Sequence, residues 1–522
     1  MYQKLLLLLL SLGLPALDAS AQKALADCPR LVVGIHIDQL QEDYLRWFME
    51  GFSEGGFKEL FKKGVVYRQV SSSVDDPDDA NVTAALVCGC PPCDNGIAAL
   101  QWLDRQEGQL TSCVLDRRYS GNYTQATCSP KNLRVSTLGD ELKKASSGDA
   151  KVFSIGLDPE SCILSGGHQP NGVFWLDDAT GHWCTSTFYG YMPRWIENIN
   201  DFGHMEETVD KAVWTPRYPL GKYIYMPHQK KSLIFHYTLS SLGADKGCRY
   251  KQTPMANTTV CRFASELIGV ERMGQDDCPD LLNLHLSVGS ALSGNDMEAA
   301  LEMQDMYFRL DEDLAALFKD IDRKVGMEHT LVYVTSTGAP RQPAGGKDSP
   351  CFYPERCATL LNLYLGALYG NERWVLGCTD TQIYLDHKLI NNKKADLVQM
   401  CRDAAVFLSE FEGVRQVCCG TDFLMGMRPA DSRLADNFVK DRSGDLILRL
   451  ETGRSLVWES RPSAGRQIQY APEHQCLILY GAGTRPAEIW DEVQLTDVAP
   501  TLCRLLYIRP PTASRGKRLP LE

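Results

Sequence analysis

The sequence has no basic tract. Asp and Glu outnumber Lys and Arg by 66 to 54, leaving a formal net charge of −12. A protein that tracks a phosphate backbone needs a net or local excess of Lys and Arg, so nucleic acid is not an expected partner. Beyond the N-terminus no segment approaches the ~18 uninterrupted apolar residues that a membrane-spanning helix requires. Internal repeats, low-complexity tracts and coiled-coil heptads are missing as well, which removes solenoids and long coiled coils from consideration. No second Cys-x-x-Cys and no His-x-x-x-His stands at zinc-finger spacing. Cys88, Cys90, Cys93 and the adjacent pair Cys418 and Cys419 therefore read as disulfides or buried thiols rather than a zinc site.

What is present begins with Lys4, an apolar run from Leu5 to Leu10 with Leu12 and Leu14, and the small residues Ala19 and Ala21 in "ALDASAQ". A charged start, a short apolar core and an A-x-A site make residues 1–21 a signal peptide cleaved after Ala21, leaving 22–522 as the mature chain. No Cys stands directly after the cleavage site, so no lipoprotein is expected. The protein is expected to be exported, to the periplasm or beyond, where disulfides persist. All nineteen cysteines lie beyond the signal, and their odd number leaves one unpaired or paired between chains.

With 44% hydrophobic and 23% charged residues, the mature chain has material for a large core. "RLVVGIHIDQL" (30–40) is a continuous apolar strand ending in an acid, as in a buried parallel strand with its functional edge at the C-terminal end. "EGGFKELFKKGVVY" follows as a short helix stopped by Gly64 before the next strand. Helices over 135–146 and 302–326, strands over 150–157 and 329–338, and strand and helix over 476–483 and 492–508 continue the alternation. The expected fold class is α/β, a mostly parallel central sheet sandwiched by helices. Residues 170–270, rich in aromatics, Gly and Pro, and residues 345–460, with an α+β pattern of their own, read as insertions forming a cap.

The ordered series "GIHIDQL", "GGFKELFKKGVVY", "SPKNLRVSTLGDELKKA", "ILSGGHQPNGVFWLDDATGHW", "MYFRLDEDLAALFKDIDRKVG" and "LTDVAPTLCRLLYIRPP" resembles the alkaline phosphatase superfamily. Within it, the likeness is to secreted bacterial phosphomonoesterases related to nucleotide pyrophosphatase/phosphodiesterases, and it covers nearly the whole mature chain. The resemblance implies a two-zinc site and a Thr or Ser nucleophile that forms a covalent phosphoenzyme. The two cations would neutralise phosphoryl oxygens, lower the nucleophile's pKa and stabilise the leaving oxygen.

Position by position, the implied site is largely missing. The first-strand aspartate is present as Asp38. The Asp-x-x-x-His pair expected before the long helix does not occur, and His285 reads as a core histidine within a strand. Ser336 and Thr337 stand where an Asp-His pair should follow the next strand, and "PSAGRQ" (462–467) has no His. His474 matches a family His that is not a ligand, and Asp386-His387 lies in the cap insertion. Of six expected ligands, one is placed. Asp79 occupies the nucleophile position, with Thr83 four residues on as the only nearby hydroxyl. Leu100 replaces the substrate-binding Asn, and Asp158 and Glu160 replace the Lys-x-Arg pair that grips phosphate. Like charges ~4 Å apart repel by about 1–4 kcal/mol near a protein surface. Reversing two of them should cost phosphate several powers of ten in affinity.

The expectation is a catalytically inactive relative with a binding or structural role, with a protein or glycan as the possible partner of the aromatic cap. The alternative is a rebuilt metal-dependent phosphatase or phosphodiesterase. There Asp38, Asp75, Asp76, Asp78 and Asp79 would hold one Ca²⁺ or Mg²⁺, zinc not being expected.

Overall fold

The computed structural model describes residues 28–202, 205–224, 235–241, 246–289, 300–338, 350–427, 432–460, 466–468 and 475–521. The segment 1–21 and His474 lie outside the described residues.

A ten-stranded sheet organises the chain. Its spatial order is Ala487–Gln494, Val65–Ser71, Leu477–Gly481, Thr330–Thr337, Leu31–Asp38, Asp280–Ser287, Val152–Gly156, Gly172–Leu176, Trp183–Ser186 and Gly121–Asn122. The centre, from Thr330–Thr337 to Gly172–Leu176, is parallel. Leu477–Gly481 turns back antiparallel on one side, and Trp183–Ser186 does so on the other. The sheet is thus mixed: its centre is parallel and covered on both faces, and at one edge Val65–Ser71 pairs parallel with the largely exposed strand Ala487–Gln494.

The first strand shows why. Leu31 to Ile37 are all buried. Val33, Ile35 and Ile37 pack on one face with Leu310, Leu314 and Phe318 of the helix Ala300–Lys324 and with Phe263 of Pro254–Val270. Val32 faces the opposite core, with Leu142 of the helix Leu138–Ala145 and Leu502 of Val498–Leu505. Alternation of side chains along a strand sends successive residues to opposite layers, so a strand apolar at almost every position must have helices on both faces.

That second face also carries a buried polar chain. His36 Nε2 lies 2.9 Å from the Tyr333 hydroxyl, which donates to Asn283 Oδ1 at 3.1 Å. Asn283 Nδ2 donates to the Ser165 carbonyl, and Ser165 Oγ lies 2.6 Å from His285 Nε2. The two imidazoles meet edge to face, with ring centroids 4.6 Å apart. Burial pushes the His36 pKa down to about 3 and His285 well below its ordinary value. His285 is therefore a core histidine, as its place in a strand implied.

Residues 375–450 form a separate four-stranded sheet in the order Val375–Cys378, Gln382–Leu385, Leu446–Leu450, Val414–Cys419. The helices Pro354–Tyr369 and Leu397–Ser409 cover it, and Leu361, Leu365, Trp374, Met400 and Leu408 give it a core of its own.

The cysteines of the first unit correct the disulfide expectation. Cys88, Cys90, Cys113, Cys128, Cys162 and Cys184 are buried thiols sharing one apolar cluster with Val87, Ile163 and Trp175. They behave as small hydrophobes, and burial pushes the Cys90 thiol up to about 12. Among the described residues no helix is long and apolar enough to cross a membrane.

Gly34 sits against this polar chain: a Cβ there would lie 2.3 Å from the Tyr333 hydroxyl and 2.7 Å from Asn283 Oδ1. Gly34→Ala should cost about 2–4 kcal/mol, through overpacking and the displaced hydrogen bonds, in urea unfolding followed by circular dichroism.

Candidate active site

Parallel strands deliver their C-terminal ends to one edge, and here Asp38 is in register with Thr337 on one side and Ser287 on the other. The helix Asp79–Cys88 starts at the same edge. The Thr337 hydroxyl donates to Asp79 Oδ1. A Cβ at Gly338, whose φ is +70°, would lie 2.3 Å from Asp38 Oδ1 and 3.4 Å from the Asp79 amide nitrogen. Asp38, Asp79 and Thr337 are therefore brought together at this edge. Gln39, held at φ 63°, turns its side chain back so that Nε2 donates to Asp38 Oδ2 at 2.9 Å.

Each aspartate of the "DDPDD" run has a different partner. Asp78 is the N-cap: its Oδ1 accepts from the Asn81 amide at 2.8 Å, while Asn81 Oδ1 accepts from the Asp78 amide at 2.9 Å. Its other oxygen accepts from the Leu100 amide at 2.6 Å. Asp79 occupies the first helical position, where the helix dipole favours a negative charge. Asp75, 8% exposed, is ion-paired with Arg449 of the strand Leu446–Leu450. Its amide donates to Asn437 Oδ1 at 3.1 Å. Asp76 pairs with Arg466 at 3.1 Å, and Arg466 Nε also reaches Asp380 at 2.7 Å. Asp76 first and Asp380 after it raise the Arg466 pKa, in spite of burial. Two of the four acids thus point away from the sheet edge, into the smaller unit.

Thr83 does not line this edge. It lies one turn into the helix, fully buried, with Oγ1 lacking a hydrogen-bond partner. Leu100 stands half-buried beside the Asp78 cap.

Asp158 begins the helix Pro159–Gly166 and is ion-paired at 2.9 Å with Lys251 Nζ, which also holds Asp178 at 2.5 Å. Lys251 is only 8% exposed and comes from the helix Lys246–Lys251, a cation that sequence reasoning missed. Glu160, half-buried, accepts from Ser112 Oγ at 2.8 Å. Burial first, then the neighbouring Asp158 carboxylate, push its pKa up to about 6.

The described residues do not fit the two zinc ions that the resemblance implied. Among them no three His, Cys, Asp or Glu side chains converge on a common point. Ser336 is buried and Thr337 is engaged by Asp79, so the Asp-His position offers no imidazole. Asp386 caps the helix His387–Lys393, and His387 Nε2 sits 2.7 Å from Asp445 inside the smaller unit.

With this geometry in place, comparison with known proteins is informative. The family model described as type I phosphodiesterase / nucleotide pyrophosphatase matches residues 32–339. The chain belongs to this family. It is 28% identical over 513 residues to alkaline phosphatase PafA of Elizabethkingia meningoseptica, covering 94% of this chain and 93% of that one. Alkaline phosphatase PhoV of Synechococcus elongatus is also 28% identical, over 512 residues, 94% of this chain and 92% of that one. The crystal structure of PafA superposes with a TM-score of 0.83 at 26% identity, over 94% of this chain and 98% of that chain. Murine ectonucleotide pyrophosphatase / phosphodiesterase 5 superposes at 0.52 and 14% identity over 93% of this chain and 97% of that one, a likeness of fold alone. The alkaline-phosphatase-like α/β fold is thereby established for the chain.

Two consequences of the site's electrostatics can be measured. Arg449→Ala strands Asp75 without its ion pair and should cost about 3 kcal/mol in urea unfolding, with most of the loss recovered in the Asp75→Asn, Arg449→Ala double variant. For Glu160 the pKa is raised in the folded chain, so its favourable contribution is present below about pH 4.5 and is lost as pH rises through about 6. Glu160→Gln should therefore be more stable than the native chain by about 1–2 kcal/mol at pH 8, with the gain gone by pH 4.5 in melts across that range.

Proposed function

We propose that this chain is an exported, catalytically inert member of its family that keeps the alkaline phosphatase fold and acts by binding. One observation carries the reading: the positions that would grip and attack a phosphoryl group present carboxylates already committed to protein partners. Asp79 accepts from Thr337 at the helix start, Asp158 is tied to Lys251, and Glu160 accepts from Ser112. An incoming dianion would meet three acids, with one buried lysine already shared between two carboxylates. Field reversal of this kind weakens binding of the ground state and transition state together.

The donor chemistry agrees. A hydroxyl nucleophile needs a nearby base or cation to lose its proton. Thr83 is buried in the helix, and Ser336 is buried with no partner for Oγ. Fold persists because core packing and site chemistry are separate constraints. Residues 1–21 supply the export signal in this reading. The unit formed by residues 345–460 serves as a cap, latched to the acid run through Arg449.

Purified mature protein, assayed with aryl phosphates and aryl phosphodiesters between pH 6 and 10, should give no turnover above the buffer rate. Chelator-sensitive hydrolysis that disappears in Asp38→Asn or Asp79→Ala would establish the rebuilt enzyme instead.

A further inference from the structure

A cavity lined by none of the sheet-edge residues places five cations, Arg117, Arg118, Lys131, Arg134 and Arg442, among four carboxylates. It lies where the hairpin Gln101–Ser112 and the segment 115–134 meet residues 441–442, and it encloses about 570 Å³. That volume is within the range of pockets for small organic ligands and exceeds what a bare inorganic ion needs.

Arg442 crosses from the smaller unit to cover Trp102, its guanidinium carbon 4.9 Å from the ring centroid. It donates to the carbonyls of Gly96 and Asn132, and to Asn132 Oδ1 at 3.2 Å. All of these acceptors are neutral. Arg134 approaches from the other side. A Cβ at Gly96 would lie 2.8 Å from Arg442 Nη1 and 2.9 Å from Arg134 Cδ, so the two arginines share the space left by that glycine, which is itself held at φ +90°. Neither guanidinium makes an ion pair among the described residues.

The acids around the cavity do not relieve this. Glu107 is held by both terminal nitrogens of Arg117, at 2.5 and 2.9 Å. Asp116 is held by Arg118 at 3.0 and 2.8 Å and by Ser129 at 2.6 Å, with Lys131 a further 3.9 Å away. Asp104 accepts the amides of Gln106 and Glu107. Asp441 is exposed, which leaves its charge well solvated. Burial first and the Arg134 charge second pull the Arg442 pKa down to about 10, as expected where positive charge is crowded.

Two adjacent cations that make no ion pair among the described residues, over an apolar indole floor, define a ligand by its complement. We propose that this cavity binds a small organic anion carrying a phosphate or sulfate group, with the oxyanion between Arg134 and Arg442 and the organic part over Trp102. Planar guanidinium forks suit such tetrahedral oxyanions through paired N–H donors. The site uses none of the residues of the sheet edge, so it stands whether or not that edge turns over substrate.

The test is isothermal titration calorimetry of the mature chain with phenyl phosphate and phenyl sulfate, at low salt and pH 7.5. At least one probe should bind saturably with a submillimolar Kd, and the tighter of the two names the group. Arg134→Glu, at an exposed position that leaves folding undisturbed, should weaken binding roughly tenfold or more. Asp441→Asn should strengthen it. No saturable heat with either probe up to about 10 mM would overturn the proposal, as would binding indifferent to Arg134→Glu.

Discussion

Carboxylates gathered at one edge of a sheet need counter-charge, and how that need is met decides what such an edge can do. In this chain arginines and a lysine meet it. Arg449 takes Asp75, Arg466 takes Asp76, and Lys251 takes Asp158. Asp78 and Asp79 are met by the start of the helix they open, through its amides, its dipole and the Thr337 hydroxyl. On the proposed reading, the charges of Asp75, Asp76 and Asp158 are neutralised by the protein itself. A side chain that is already paired has little free energy left for a ligand.

The same pairs tie two units together. Arg449 belongs to the smaller sheet and Arg466 to a separate three-stranded sheet, while Asp75 and Asp76 belong to the loop that leads into the buried helix. Arg105 runs the other way, from the hairpin of the main unit to Asp445 at 2.8 Å and over the ring of Tyr384. Arg442 adds a third connection through Gly96 and Asn132. The boundary between the units is thus lined by arginines, whose planar guanidinium groups can bond several acceptors at once. Arg449, Arg466 and Arg105 are ion-paired there, and Arg442 lies over Trp102 with neutral acceptors.

Much of the fold was legible in sequence because a buried strand must be apolar along its length and a long amphipathic helix must repeat every three to four residues. "RLVVGIHID" and the run from Leu310 to Ile321 satisfy those rules directly. The antiparallel return of Leu477–Gly481 was not legible, since an apolar run carries no sign of direction. Within the site, Asp38, Asp79 and Thr337 could be brought together from the order of motifs. The partners of Asp75 and Asp76 could not: Arg449 and Arg466 lie 374 and 390 residues away in sequence. Lys251 sits 93 residues from Asp158 and has no motif around it. The run of aspartates therefore looked like one cluster on paper, and the fold distributes its members to separate neighbours. For the cysteines spacing left both readings open, because it cannot separate a disulfide from a thiol that packs as a small apolar side chain.

The claim that internal ion pairs have replaced a cation site is tested most directly by titrating the metal-free mature chain with Zn²⁺ and with Ca²⁺ while following its thermal melting. The account predicts no saturable, chelator-reversible rise in melting temperature, from micromolar Zn²⁺ to millimolar Ca²⁺. A stoichiometric stabilisation by either ion, lost in Asp38→Asn, would contradict it.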